Sequence, residues 1–143
     1  MNVQTTLEFY GRTEEALDFY QQSLDAKILF LLRFKDAHNA GPFPEAMQQK
    51  ILHATFKVGA TELMASDMGC QEREVRQSGV AGFCLALRVQ TLEKAERFFA
   101  ALGENGDVRL PLQSTFFAER YGVVVDPFGI VWKIIWDPSC DDA

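Results

Sequence analysis

The 143-residue chain is short of the residues that build dedicated chemical centres, with two histidines, three cysteines, two tryptophans and five prolines. Cys70, Cys84 and Cys140 cannot all pair, and none stands in a C-x-x-C arrangement, so neither a disulfide framework nor a zinc knuckle organises the fold. Reduced thiols are expected. No stretch approaches the ~20 apolar residues of a bilayer span, and the opening Met1-Asn2-Val3-Gln4-Thr5-Thr6 lacks a basic region followed by an apolar one. No membrane partner and a cytoplasmic location are therefore expected. Runs of Lys or Arg are lacking as well. Fourteen Lys and Arg against 20 Asp and Glu leave a net charge of −6, which repels phosphate backbones, so nucleic acid is not an expected partner either. There is no Gly-rich phosphate loop, no G-x-S-x-G elbow and no H-E-x-x-H, which removes the usual entry points to nucleotide-dependent, serine-hydrolase and zincin chemistry. What is present, 48% hydrophobic and 24% charged residues, can bury enough surface to offset chain entropy. A small molecule is the expected partner.

Two stretches resemble each other. Thr13-Glu14-Glu15-Ala16-Leu17-Asp18-Phe19-Tyr20 and Leu92-Glu93-Lys94-Ala95-Glu96-Arg97-Phe98-Phe99 share a Glu, an Ala two residues on and an aromatic pair. Each reads as an amphipathic helix, one over 13–24 capped by Thr13, the other over 92–102 capped by Thr91 and stopped by Gly103. Short alternating or apolar runs around them read as strands over 3–10, 27–35, 50–58 and 62–66, then 82–89, 108–112, 121–125 and 130–136. The plan is βαβββ twice: a first module over 1–67, a linker over 68–80 with a pattern that allows a short helix over 72–77, and a second module over 81–143. Gly59-Ala60 and Asp126-Pro127-Phe128-Gly129 are placed to turn the last hairpin of each module. The loop over 36–47, with Gly41-Pro42-Phe43-Pro44, is a candidate lid.

One such module is too small to bury its own core, so the two should pack together as one α+β domain. Alternation assigns faces. Leu52, Ala54, Phe56 and Val58 form an apolar row that leaves His53, Thr55 and Lys57 opposite. Leu63 and Ala65 alternate with Glu62, Met64 and Ser66, and Leu85, Leu87 and Val89 with Cys84, Ala86 and Arg88. The greasier face should meet the helices. The mixed face, with His53, Glu62, Cys84 and Arg88, should line a groove.

These residues also carry a family resemblance. Phe9-Tyr10-Gly11-Arg12-Thr13-Glu14-Glu15-Ala16-Leu17-Asp18-Phe19-Tyr20, Ile51-Leu52-His53-Ala54, Leu63-Met64-Ala65-Ser66-Asp67, Pro111-Leu112-Gln113-Ser114-Thr115-Phe116-Phe117 and the run from Arg120-Tyr121-Gly122 through Asp126-Pro127-Phe128-Gly129 to Trp132 are similar to the PhnB-like branch of the glyoxalase, bleomycin-resistance and extradiol-dioxygenase (vicinal oxygen chelate) superfamily. The resemblance implies two βαβββ modules whose mixed sheets curl around a central groove, and a homodimer. It further implies a divalent metal held by residues on the first and last strand of each module, places that fall here on Thr5, Glu62, Cys84 and Lys133. Only Glu62 is a good ligand among them, and Lys133 brings a positive charge where a carboxylate normally neutralises the ion. No metal and no other cofactor is therefore expected. Lys133 takes the place of the missing cation, pairs with Glu62, and favours an anionic or polarised ligand.

The expected binding residues are His53, Glu62, Cys84, Arg88, Phe117, Glu119, Arg120, Tyr121 and Lys133. For His53 a hydrogen-bonded strand histidine is favoured over a ligand or general base. Cys84 reads as an inert packed thiol before a nucleophile. Phe116, Phe117, Tyr121, Phe128, Trp132 and Trp136 could form an aromatic clamp, although Trp132, Ile134 and Trp136 recur with period two as a core row would. Glu119 and Arg120 read equally as a surface ion pair or as gating groups. The leading functional reading is a small-organic-molecule binder without the usual metal. The alternative is a lyase, isomerase or dioxygenase with a displaced metal on His53 and Glu62.

Overall fold

The computed structural model describes residues 1–37, 43–68 and 82–138. The chain divides into two compact units, Met1–Ser78 and Gly79–Ala143. In the first, strand β1 (Thr6–Glu8), helix α1 (Thr13–Leu24), β2 (Lys27–Arg33), β3 (Ile51–Val58) and β4 (Thr61–Ser66) form one sheet in the order β1-β4-β3-β2. In the second, β5 (Leu85–Val89), helix α2 (Leu92–Gly103), β6 (Asp107–Gln113), β7 (Arg120–Val125) and β8 (Val131–Trp136) repeat it as β5-β8-β7-β6. The first and last strands of each unit run parallel and the other pairs antiparallel, which is the βαβββ plan read from the sequence. The expected helix over 72–77 and the middle of the expected lid, residues 38–42, lie outside the described residues, as do His38, Cys70 and Cys140.

Helix α1 starts at Thr13, yet neither Thr13 nor the preceding Arg12 supplies a side-chain cap. The cap comes from Asp67, at the end of β4. Its Oδ1 accepts from the Gly11 N–H at 2.8 Å, the Thr13 N–H at 3.1 Å and the Thr13 hydroxyl at 2.6 Å, while Oδ2 accepts from the Ile51 N–H at 3.0 Å. Tyr10 and Gly11, at φ 54 and 100, bend the chain so that these donors converge. One buried carboxylate thus ties the helix start, the β1–α1 turn and the first residue of β3 together. Thr91 does cap α2, accepting from the Lys94 N–H at 3.1 Å, as expected.

The core of each unit lies between sheet and helix. In the first, Leu7, Phe9, Leu17, Tyr20, Phe56 and Ala65 are buried, with the rings of Tyr20 and Phe56 stacked 6.0 Å apart. On β3 the inward residue at the start is Ile51, not Leu52, because the register with β2 slips between Leu32 and Arg33 and the extra residue inverts the alternation. A second slip, between Ile28 and Phe30, leaves Leu29 and Phe30 half exposed. On the outer side Arg33 donates to Glu14 at 2.6 Å, and that hydrogen bond holds the Glu14 carboxyl below its ordinary range.

In the second unit Ala95, Phe98 and Leu102 of α2 are buried, as are Val124, Trp132 and Ile134 in the sheet. A side chain at Gly122 would place its Cβ 2.6 Å from Phe99 Cε2, so glycine there is what lets α2 seat on β7. The Asp126-Pro127-Phe128-Gly129 turn is built round another buried carboxylate. Asp126 Oδ1 accepts from the Phe128 and Ile130 N–H groups, and Oδ2 from Trp132 Nε1 at 2.9 Å.

Candidate functional site

Because directly paired residues share a sheet face, the strand registers show what stands on the side away from each helix. In the second unit two rows cross that open face. One is Leu110, Val123, Lys133 and Ala86, and the next is Gln113, Tyr121, Ile135 and Arg88. Lys133 is half-buried on β8, an inner strand, between Val123 and Ala86. Arg88 lies diagonally from it, about 7–8 Å between Cα atoms by sheet geometry. Among the described residues neither cation has a hydrogen bond or an ion pair. No carboxylate stands beside them in either row.

Phe116 and Phe117 enter from the β6–β7 loop. Thr115 closes this loop, its N–H donating to the Ala118 carbonyl at 2.9 Å and its hydroxyl oxygen accepting from the Ala118 N–H at 3.2 Å. The Phe117 ring meets Tyr121 edge-on at 4.9 Å, and Phe116 meets Phe117 at 5.1 Å. Phe116 is 99% exposed and Phe117 50%. The Arg120 guanidinium donates to the Glu119 carbonyl oxygen at 2.7 Å, a local backbone contact. Cys84 is a half-buried free thiol immediately before β5.

The open face of the first unit carries a row of Thr6, Met64, Thr55 and Phe30, and a neighbouring row of Glu62, Lys57 and Lys27. His53 sits on this face beside Leu32, with Nε2 3.3 Å from the Thr55 hydroxyl and its ring 6.0 Å from that of Phe30. Glu62 is exposed and stands opposite Lys57, four residues along β3 from His53. At about 3.4 Å per residue that is roughly 14 Å, too far for the two side chains to share one ion. β1 also begins one residue later than its expected first-strand ligand. Leu7, paired with Ala65, faces the core, so Thr6 and Glu8 hold the open face and Thr5 precedes the strand. The apolar alternation of Leu7 and Phe9, both buried, is the sequence signal that places Glu8 on the open face.

These residues do not fit a divalent metal. Among the described residues no group of three or more His, Cys, Asp and Glu could hold one. No described helix is long and apolar enough to cross a membrane.

Two βαβββ units with one helix-free face each define a protein of the glyoxalase, or vicinal oxygen chelate, superfamily fold. The chain belongs to the family described as 3-demethylubiquinone-9 3-methyltransferase, whose signature matches residues 1–135, within the PhnB-like branch of that superfamily. It is 32% identical over 136 residues to protein YjdN of Escherichia coli (strain K12), covering 90% of each chain. Among solved structures it is similar to protein PA1353 from Pseudomonas aeruginosa, with 34% identity, a TM-score of 0.78 and coverage of 96% of this chain and 98% of that one. It is also similar to a putative 3-demethylubiquinone-9 3-methyltransferase, PhnB protein, from Bacillus cereus, at 25% identity and a TM-score of 0.72 over 95% and 99% of the two chains.

Proposed function

We propose that this protein binds a small organic anion on the open face of its second sheet, using Lys133 as a fixed cation with Arg88 beside it, and does so without a divalent metal. The observation that carries this reading is the half-buried Lys133 side chain, which no carboxylate among the described residues of its own sheet answers. A charge partly withdrawn from water is costly unless it is paired, so an anion arriving at this place adds an interaction that the described residues do not supply. Tyr121, Phe117, Glu119 and Cys84 border the same face and complete the binding set, whereas Arg120, paired with Trp136 and so on the opposite face from Tyr121, stands outside it, and His53 and Glu62 serve the corresponding face of the first unit. The protein acts in the cytoplasm, as a homodimer.

The joint His53 and Glu62 metal centre of the alternative reading finds no support in the β3–β4 register. Metal analysis of purified protein, before and after exposure to nickel, manganese, zinc or iron, tests the proposal. Substoichiometric metal throughout is expected. One equivalent that is lost in Glu62→Ala would overturn it.

A further inference from the structure

We infer that the ligand of this face carries a flat unsaturated ring next to its anionic group, that is, a small aromatic or heteroaromatic acid rather than an aliphatic or inorganic anion. The inference rests on the anion reading above and adds the ring. It follows from where the aromatic loop stands relative to the two cations. Tyr121, Ile135 and Arg88 are consecutive members of one row, so the phenol and the guanidinium are rooted two strand spacings apart, about 10 Å. Lys133 lies on the diagonal between Tyr121 and its neighbours, about 7–8 Å from Tyr121 at Cα. A carboxylate on Lys133 therefore leaves a single attached ring over Ile135 and Val123, with the Phe117 and Tyr121 rings at its rim.

The aromatic pair is built to stay there. Thr115 cross-links its own loop to Ala118 through both backbone and hydroxyl, so Phe117 is held against Tyr121 with half of its surface still open to solvent. A half-exposed phenylalanine in a closed loop, on the same face as two cations that have no partner among the described residues, offers ring faces and edges in fixed directions. Edge-to-face and offset contacts distinguish an unsaturated ring from a saturated one of the same size. Gln113, exposed at the far end of the row, adds a hydrogen-bonding amide for a ring substituent.

Calorimetric titration of the full chain with benzoate and with cyclohexanecarboxylate separates the ring from the charge. Both are monoanions of one size, and the saturated ring is the more hydrophobic, so simple apolar burial would favour cyclohexanecarboxylate. Benzoate is expected to bind about three- to tenfold more tightly, with Phe117→Ala erasing that preference and Lys133→Met weakening both acids alike. Equal affinities, or a preference unchanged in Phe117→Ala, would overturn the ring while leaving the anion reading standing. No effect of Lys133→Met would overturn the anion reading itself, and no binding of either acid would overturn both.

Discussion

Asp67→Ala is expected to lower stability by about 3–5 kcal/mol. Four donors lose their acceptor at once: the N–H groups of Gly11, Thr13 and Ile51 and the Thr13 hydroxyl. Hydrogen bonds to a charged group are each worth roughly 1.5–3 kcal/mol, and leaving buried donors unsatisfied costs a further desolvation term, although contributions within one network do not add in full. Asp67 is 1% exposed and Thr13 0%, so water cannot step in without opening the core. Against a total stability of about 5–15 kcal/mol this is a large share. Thermal unfolding should show a fall of roughly 10 °C or more. Asp67→Asn should recover only part of the loss, because its amide nitrogen brings donors to a place where only donors point. A shift of under about 2 °C for Asp67→Ala would contradict the account of how α1 is anchored.

The second large effect concerns binding. Lys133→Glu is expected to abolish benzoate binding, and Lys133→Met to weaken it by about 10- to 100-fold, the worth of one charge-assisted contact in a partly desolvated place. The methionine variant keeps the length and packing of the stem between Val123 and Ala86, so its folding should be unchanged. Arg88→Met should have a smaller effect, because Arg88 is on an edge strand and exposed, where its charge is screened by water. Titration calorimetry in low and moderate salt checks this order. A larger loss for Arg88→Met than for Lys133→Met would move the centre of the site from β8 to β5.

Local patterns carried most of the fold. Period-two alternation on β4, β5 and β8 and helical spacing around Tyr20 and Phe98 each report a single element meeting a single core, and they can be read without knowing what lies far off in the chain. What could not be read depends on long-range register. The cap of α1 comes from Asp67, 54 residues beyond Thr13, where a local pattern points only to Thr13 itself. The slip that puts Ile51 inside instead of Leu52 exists only in the pairing of β2 with β3. The family resemblance pointed to Thr5, yet one residue of register sends Thr6 and Glu8 to the open face. The candidate site shows the same division. Arg88, Tyr121 and Lys133 were legible as residues, but their arrangement in adjoining rows is a property of the β5-β8-β7 pairing.

The most direct test of the anion site is diffraction at the nickel absorption edge from crystals grown with both benzoate and nickel. The account predicts a carboxylate within hydrogen-bond distance of Lys133 Nζ and no anomalous peak beside it. A fully occupied nickel ion next to Lys133, with benzoate elsewhere or absent, would contradict it.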